Sequence, residues 1–358
     1  MTSVPDLATA RVAGLPLYRP GKPSTSAAAN KLSSNEAALG PGPSVVEALR
    51  TAAGNPHRYP DESTVRELIA AKHGISADRL LLTNGSDELC YLVADIFLGS
   101  GRTAIVGDPC YAIDATATMV SGATLQRIPL VNGSHDLSAM ATASADAQVV
   151  WLPSPHNPTG SAVGDAALRE FLEHVPDTCL VVLDQAYNGY TDAEPDIIAL
   201  LDLHPNLLVQ RTMSKDRALA GLRIGYALAH PQVIAALATL RPPFSVNSLA
   251  LAATAASFTS PSWTEMSVER IREGREHLQR ELEHLAIDFI PSQANFVLAR
   301  INHEDLRPFL EADHITVRAG EDLGVPGWVR ITIGWAPTMA ALRQALRAYR
   351  KACPYANT

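Results

Sequence analysis

The chain has 358 residues, 47% of them hydrophobic and 18% charged, and its formal net charge is −8. A chain of this length and composition can bury a sizeable core in about two domains, so a disordered protein is excluded. The acidic balance and the lack of a basic run also argue against nucleic acid or an acidic membrane surface as a partner.

The sequence carries neither a membrane signal nor a metal-binding motif. No eighteen apolar residues follow one another, and residues 1–14 lack the charged start and apolar stretch of a secretory signal. The four cysteines are far apart and form no Cys-x-x-Cys pair. We therefore expect a soluble, cytoplasmic protein with reduced thiols and no bound metal.

The first part of the chain predicts an irregular arm followed by alternating helices and strands. Residues 1–30 are rich in Pro, Ala, Ser and Thr. A helix begins at Ser63 and ends at Gly74, and another follows the loop over residues 83–88. Short runs that are apolar on both faces then indicate a buried parallel sheet, hence an α/β domain. The predicted strands are residues 103–106, 148–152, 179–183 and 207–210.

The chain changes character after residue 261. Residues 263–285 carry one apolar stripe, which predicts a long helix crossing between domains. Short strands and two helices then predict a compact α+β unit. The strands are expected near Phe289 and over residues 296–298, 315–317 and 328–333, and the helices over residues 304–311 and 339–352. We expect an arm over residues 1–30, a large domain over 31–260, and an interdomain helix with a small domain over 261–358.

Lys215 is the strongest candidate for chemistry. It follows an apolar strand, so its amine would emerge at a sheet edge, where a desolvated lysine can form a Schiff base with an aldehyde. A lone lysine after a strand is more often a solvated surface charge. Its neighbours favour the chemical role, because the Ser214 hydroxyl and the planar Arg223 guanidinium both suit a phosphate.

Asp184 and Tyr187 form a second candidate pair. Asp184 ends an apolar strand, and on its own a helix cap is the simpler interpretation. With Tyr187 three residues later, Asp184 could instead pair with a pyridinium nitrogen while Tyr187 binds a phenolic oxygen. An ion pair at about 4 Å is worth roughly 4 kcal/mol before desolvation costs, enough to keep such a nitrogen protonated.

Two loops supply further candidates. The segment 155–160 favours a turn without any ligand, but it would also place the Asn157 amide beside a ring oxygen. Gly85, Ser86 and Asp87 begin a helix whose free amides favour an anion, although capping explains the last two equally well. Because a carboxylate is unusual beside a dianion, we expect Asp87 to act through its backbone amide.

Together these segments resemble the fold type I pyridoxal-phosphate aminotransferases. The nearest branch holds the histidinol-phosphate aminotransferases and the actinobacterial aromatic amino acid aminotransferases. The resemblance covers nearly the whole chain, and the quoted motifs are Leu-Pro-Leu-Tyr-Arg-Pro-Gly at 15–21, Lys-Leu-Ser-Ser-Asn-Glu at 31–36, Arg-Tyr-Pro-Asp at 58–61 and Val-Arg-Ile-Thr-Ile-Gly at 329–334. It implies a large domain with helices on both faces of a mostly parallel sheet, pyridoxal 5′-phosphate as cofactor, and a homodimer with shared active sites.

The resemblance also assigns roles to residues. Lys215 would carry the cofactor as a Schiff base, Asp184 would hold the ring nitrogen, and Asn157 and Tyr187 would bind the ring hydroxyl. Tyr111 matches the aromatic residue stacked on the ring, although an isolated Tyr at a strand end is usually packing. The phosphate would be surrounded by Gly85, Ser86, Asp87, Ser214 and Arg223, with Tyr59 reaching it from the neighbouring subunit. Arg330 would receive the acidic group of the substrate, and the pocket would be lined by Tyr18, Asn35, Asn295 and Arg318.

The sequence departs from the family pattern at three places. Gln185 replaces an acidic residue, His156 replaces an asparagine, and Asp216 and Arg217 stand where small or aromatic residues are common. No catalytic group is lost. His156 and Arg217 adjoin expected cofactor contacts, so they could change the local charge and the choice of substrate. Alternation along its strand could also turn Arg330 outward.

The resemblance implies ping-pong transamination, in which Lys215 moves the proton of the substrate's α-carbon. Residues 15–21 and 291–296 look more like the actinobacterial aromatic branch, and that resemblance implies an aromatic amino acid as donor and 2-oxoglutarate as acceptor. Histidinol phosphate is the alternative donor, and Arg318 suits either. A decarboxylase resembling the threonine-phosphate enzyme and an aminotransferase of specialised metabolism stay open as well.

Overall fold

The computed structural model describes residues 30–192 and 194–353, which form two sheets and the helices that cover them. Apart from residue 30, the predicted arm lies outside the described residues, and so does Tyr18. No helix in the described ranges is both long and apolar enough to cross a membrane.

Seven strands form the larger sheet. From one edge to the other they are β2 (Leu80–Thr83), β8 (Gly225–Ala229), β7 (Leu207–Thr212), β6 (Leu180–Asp184), β5 (Val149–Pro153), β3 (Thr103–Asp108) and β4 (Thr124–Pro129). β8 is antiparallel to both of its neighbours, and the other pairs are parallel. The expected mostly parallel sheet is confirmed, and the bounds of β3, β5, β6 and β7 differ from the prediction by at most two residues at either end.

Helices cover both faces of this sheet. Because alternate side chains of a strand point to opposite faces, Val150 and Val181 join one hydrophobic core while Trp151 and Val182 join the other. This is why the central strands read as continuous apolar runs. The helices of the described chain are α1 (Pro43–Ala52), α2 (Ser63–His73), α3 (Gly85–Phe97), α4 (Ala112–Ser121), α5 (Leu137–Ala143), α6 (Asp165–His174), α7 (Ile197–Leu203), α8 (Pro231–Leu240), α9 (Ser248–Thr259), α10 (Ser262–His284), α11 (His303–Glu311) and α12 (Ala336–Ala352).

Five strands form the smaller sheet. Their order is β1 (Lys31–Leu32), β11 (Thr316–Ala319), β12 (Val329–Thr332), β10 (Phe296–Ala299) and β9 (Phe289–Ile290). All neighbours are antiparallel except β1 and β11. Residues 31–32, which we placed in the large domain, therefore belong to the small sheet, because Lys31 pairs with Thr316 and Leu32 with Val317. A separate core beneath this sheet includes Leu278 of the long helix α10.

The arrangement of the large sheet determines where a site can form. β5, β6 and β7 are adjacent and parallel, so their carboxyl ends lie at the same edge. The loop that holds Asn157 follows β5, Asp184 is the last residue of β6, and Lys215 comes just after β7. Clefts at the carboxyl ends of parallel strands are the usual ligand sites of such sheets.

Candidate active site

A cavity of about 230 Å³ lies at this edge and is lined by residues from both sheets. It brings together most of the residues that the sequence singled out. Those at its wall are Asn35, Ser86, Asp87, Tyr111, Asn157, Asp184, Tyr187, Ser214, Lys215, Arg223, Arg318 and Arg330. They come from segments spread over about 300 residues of the chain, so the fold itself assembles them.

Asp184 presents a carboxyl group whose charge depends on what enters the cavity. The backbone N–H of Ala186 donates to Asp184 Oδ1 at 2.9 Å. Burial raises the pKa of the Asp184 carboxyl to about 7, and the nearby Asp87 acts in the same direction, whereas the Ala186 bond and the Lys215 charge act against it. A cation beside Asp184 would lower this pKa. The carboxyl would then be ionised and would attract the cation.

Lys215 sits on an irregular loop that the neighbouring strand holds in place. The Met213 N–H donates to the Ile224 carbonyl at 3.0 Å, and the Ala218 N–H donates to the Lys215 carbonyl at 3.1 Å. Ala218 has a positive φ of 59°, which bends the chain back after the lysine. The Lys215 ammonium lies 5.6 Å from the centre of the Tyr187 ring. Lys215, Tyr187 and Asp184 thus share one cavity.

The start of α3 forms a cradle of backbone amides. Gly85 has a φ of +77°, and a Cβ there would lie 2.6 Å from Arg223 Nη2. A Cβ at Gly225 would lie 2.9 Å from the Ser86 nitrogen. Only glycine fits at either position without displacing a neighbour. The open amides at the N-terminus of α3, together with Arg223 and the Ser214 hydroxyl, make a site suited to a phosphate.

The Asp87 side chain has contacts of its own, beyond the backbone role that we expected. Its Oδ2 pairs with Arg223 Nη2 at 3.2 Å, and its Oδ1 accepts a hydrogen bond from the Tyr111 hydroxyl at 3.0 Å. The carboxylate thereby offsets part of the Arg223 charge and fixes the hydroxyl end of the Tyr111 ring.

Arg330 points into the cavity, so alternation along β12 does not turn it outward. Its Nη1 donates to Asn157 Oδ1 at 2.6 Å and its Nη2 donates to the Ser33 carbonyl at 3.0 Å. The side chain is buried above the Phe296 ring. Because Arg330 occupies the oxygen of the Asn157 amide, the nitrogen of that amide is the end left to serve as a donor.

Asn35 connects the small sheet to Tyr187. Its Nδ2 donates to the Tyr187 hydroxyl at 2.9 Å, and its Oδ1 accepts from Thr332 Oγ1 at 3.0 Å. Asn295 was expected to line the substrate pocket, but it is fully buried behind Asn35 and donates to the Asn35 carbonyl at 3.1 Å. Asn295 is not at the cavity wall: it stands just before β10, which pairs with β12 in the same sheet, and it contacts the backbone of Asn35 instead.

Tyr59 also lies outside this cavity. Its side chain is 81% exposed and stacks on Phe244, with 4.5 Å between ring centres. Within one chain it therefore makes no contact with the phosphate cradle, and its expected role requires a second subunit. Gly85 is not at the cavity wall either, and its backbone lies against the Arg223 side chain.

The departures from the family pattern point away from the cavity. Gln185, Asp216 and Arg217 line a second space of about 170 Å³ behind it. Arg217 Nη1 donates to the Ser257 carbonyl at 2.7 Å, so its charge is directed away from the cofactor contacts. His156 is buried, and burial holds its pKa well below the ordinary value, with His135 acting in the same direction. It is neutral and adds no charge.

Several lining residues were not foreseen. They include Ser33, Ser34, Cys110, Asp322 and Leu323. Asp322 matters most, because its Oδ2 lies 3.4 Å from Arg318 Nε and so pairs with a candidate substrate-binding cation. Its position four residues after Arg318 was the available signal, but only the bend after β11 shows that both side chains face the cavity.

A lysine and a carboxyl at the carboxyl ends of adjacent parallel strands, beside an anion cradle at a helix N-terminus, define the class of fold type I pyridoxal-phosphate enzymes. The model of the aminotransferase class I and II family matches residues 29–348. The chain therefore belongs to that family, and the predicted membership, fold and enzyme class are confirmed: it is a pyridoxal-phosphate-dependent aminotransferase.

Comparisons with individual proteins agree. The chain is 37% identical over 357 residues to histidinol-phosphate aminotransferase 1 of Dechloromonas aromatica, covering 96% of this chain and 99% of that protein. It is 35% identical to the histidinol-phosphate aminotransferase of Halalkalibacterium halodurans, covering 90% and 92%. Among solved structures, the histidinol-phosphate aminotransferase of Sinorhizobium meliloti in complex with pyridoxal-5′-phosphate has a TM-score of 0.83 at 28% identity, covering 90% and 91%.

The cavity fits the cofactor that the family implies. A Cβ at Gly85 or Gly225 would collide with Arg223 or with the Ser86 nitrogen, both groups of the anion cradle, and Asp184 offers a carboxyl whose pKa of about 7 a ring cation would lower. When bound, the cofactor supplies an aldehyde for the lysine amine and a ring that takes up electrons. Lys215 would react with the aldehyde, and Asp184 would support the uptake of electrons by the ring.

Proposed function

We propose that this aminotransferase transfers the amino group of histidinol phosphate to 2-oxoglutarate. The observation that carries the proposal is a pair of arginines at the wall of the cavity. Arg318 and Arg330 are direct cross-strand partners on β11 and β12, and both side chains line the cavity. Two guanidinium groups on one wall suit a doubly charged anion, with Asp322 offsetting part of the Arg318 charge.

The two arginines suit both halves of a ping-pong reaction. The phosphate of histidinol phosphate and the pair of carboxylates of 2-oxoglutarate each carry about two negative charges near neutral pH. One pair of cations can therefore bind the donor in the first half and the acceptor in the second. An aromatic amino acid carries one carboxylate and would leave one of the two cations without a substrate contact.

The aromatic donor that the sequence favoured is less well supported. Both curated relatives described above are named for histidinol phosphate at 35% and 37% identity. Among the described residues at the cavity wall, the aromatic side chains are Tyr111 and Tyr187, and both have proposed roles at the cofactor.

We assign the chain's own groups as follows. Arg330 and Arg318 bind the anionic end of the substrate. Asp184 holds the ring nitrogen protonated, and Tyr187 and the Asn157 amide bind the ring oxygen. Lys215 would accept the proton from the substrate's α-carbon and deliver it to the C4′ carbon of the cofactor, two bonds away.

A donor series tests the proposal. Histidinol phosphate, histidinol, phenylalanine and phosphothreonine are supplied with 2-oxoglutarate, and the visible spectrum and carbon dioxide release are recorded. Histidinol phosphate should exceed histidinol in kcat/KM by on the order of 100-fold, since charged hydrogen bonds contribute about 1.5–3 kcal/mol each. Equal rates for the two, preference for phenylalanine, or carbon dioxide release from phosphothreonine would reject it.

A matched pair of variants locates the recognition. Arg318→Gln should raise KM for histidinol phosphate at least about tenfold and leave KM for histidinol nearly unchanged. Arg50→Gln, at a side chain 74% exposed on α1, is the control and should change neither. A similar loss with both donors would show that Arg318 has no part in phosphate recognition.

We further propose a homodimer with shared sites, supported by the exposed aromatic pair Tyr59 and Phe244. Lys215→Ala and Tyr59→Ala should each lose activity. A hybrid of the two contains one site with both native residues, so mixing and refolding them should restore activity. No recovery of activity in the hybrid, or a monomeric mass by light scattering, would contradict shared active sites.

A cytoplasmic location of the protein stays a prediction.

A further inference from the structure

Three buried polar residues form a cluster near Asp184. Cys90 is 0% exposed, Asp114 2% and Gln210 1%, and they come from α3, α4 and β7. We call them the rear network. None of them lines the cavity. Burying a polar group costs free energy unless it finds a partner, so three of them in an otherwise apolar core call for an explanation.

The rear network is connected by hydrogen bonds through the thiol. Cys90 Sγ lies 3.5 Å from Asp114 Oδ1 and 3.6 Å from Gln210 Oε1. Gln210 is the direct cross-strand partner of Asp184, so the two side chains leave the same face of the sheet, and the Gln210 amide lowers the pKa of the Asp184 carboxyl. The network therefore ends at the group that faces the ring nitrogen.

The number of protons available determines which group donates to which in the rear network. The thiol has one proton and faces two oxygen acceptors. Burial raises the pKa of Asp114 well above its ordinary value, and Asp184 and Asp87 raise it further against the opposing Cys90 hydrogen bond, so the neutral form of Asp114 is favoured. Its hydroxyl can then donate to Cys90 Sγ, the thiol to Gln210 Oε1, and the Gln210 amide nitrogen to Asp184. Each group finds a partner, and the amide can face only one way.

We propose that Asp114, Cys90 and Gln210 are positioning residues that keep Asp184 ionised and turned toward the cofactor's ring nitrogen. An amide donor of fixed orientation favours the charged form of the carboxyl that accepts from it. A neutral Asp114 also adds no further negative charge beside Asp184. The inference rests on the family's cofactor and holds whichever amino donor the enzyme uses.

Two pairs of variants test this role. Asp114→Asn keeps a neutral donor at the same place, whereas Asp114→Leu keeps the size and removes the donor. Cys90→Ser keeps a group that can accept and donate, whereas Cys90→Val does not. In a purely structural role, the polar and apolar replacements would have the same effect on the ring nitrogen.

The measurement is the nitrogen NMR shift of ring-¹⁵N pyridoxal phosphate bound to each purified protein, titrated with pH. Asp114→Leu and Cys90→Val should each lower the pH at which the ring nitrogen loses its proton by about one unit, a tenfold change. Their dissociation constants for the cofactor should rise about tenfold. Asp114→Asn and Cys90→Ser should restore the native titration.

The outcomes separate the possibilities. A native ring-nitrogen titration in both apolar variants would overturn the proposal, and so would equal losses in the polar and apolar members of a pair. If Asp114→Leu fails to fold, Cys90→Val tests the same connection from α3. Thermal unfolding of every variant shows whether a change in cofactor affinity follows a change in stability instead.

Discussion

Arg330 donates a hydrogen bond to Asn157 across 2.6 Å and so joins the small sheet to the large one at the active site. Arg330 belongs to β12, and Asn157 lies in the loop after β5. The same guanidinium donates a hydrogen bond to the carbonyl of Ser33, the residue that follows β1. A substrate anion that binds Arg330 therefore contacts the group that orients the Asn157 amide toward the cofactor.

This relationship predicts the effect of Arg330→Lys. Lysine keeps the charge but loses the planar fork that contacts Asn157 and Ser33 together. We expect kcat/KM for the amino donor to fall about 10- to 100-fold, which corresponds to about 1.5–3 kcal/mol for a charged hydrogen bond. Cofactor affinity should also weaken, because the Asn157 amide is no longer held. Arg307→Lys, at an exposed arginine of α11, should leave both unchanged. Unaltered cofactor affinity in Arg330→Lys would argue against the coupling.

The cradle at α3 predicts the effect of Gly85→Ala. The added methyl group would lie 2.6 Å from Arg223 Nη2, in a backbone with φ of +77°. We expect the dissociation constant for pyridoxal phosphate to rise at least about tenfold, since strain of about 1–2 kcal/mol falls on the phosphate site. Gly164→Ala is the control: Gly164 has a φ of −71°, and no atom lies within 4 Å of its added Cβ. Similar cofactor affinity in the two variants would show that the cradle does not bind the phosphate.

The two hydrogen bonds between Thr332 and Asn35 predict the effect of Thr332→Val. Valine matches the shape of threonine but removes the hydroxyl that Asn35 contacts through its backbone N–H and its Oδ1. Because both partners are buried, we expect a loss of about 1–3 kcal/mol in the free energy of unfolding. Thr239→Val, at an exposed turn of α8, should change it by less than about 0.5 kcal/mol. Chemical denaturation of the two variants in parallel gives the comparison, and equal losses would contradict this account.

His135 predicts how stability depends on pH. Burial lowers the pKa of His135 to about 4, below its ordinary value of about 6.5 in an unfolded chain. Between these values the unfolded state binds more protons, so stability falls as the pH falls from about 6.5 to about 4. Replacing His135 by Gln, which can still donate to the Pro153 carbonyl, should reduce the loss between pH 7 and pH 5 by about 2 kcal/mol. An identical loss in His135→Gln, measured by urea unfolding at both pH values, would rule this cause out.

Sequence patterns predicted the central strands because both of their faces are buried. β5 is buried at every position and therefore reads as one apolar run. The edge strand β4 has no buried residue and left no such run. β1 is two residues long and can be recognised as a strand only from its pairing with β11. Edges and short strands depend on partners that are distant in sequence, so local patterns miss them.

The candidate site shows the same division. Lys215, Asp184 and Asn157 follow adjacent strands, and the order of the motifs was enough to bring them together. The rear network was missed because Cys90 is 24 residues from Asp114 and 120 from Gln210, and each stands alone among apolar neighbours. A glutamine inside the apolar run of β7 was the one visible sign.

The central claim is that Lys215 carries the cofactor, and reduction with borohydride tests it most directly. The sequence contains five lysines, at positions 22, 31, 72, 215 and 351. After reduction of the cofactor-loaded protein and digestion, mass spectrometry should find the phosphopyridoxyl group on the peptide that contains Lys215. Finding the group on Lys72 or on another lysine, with Lys215 unmodified, would contradict the account.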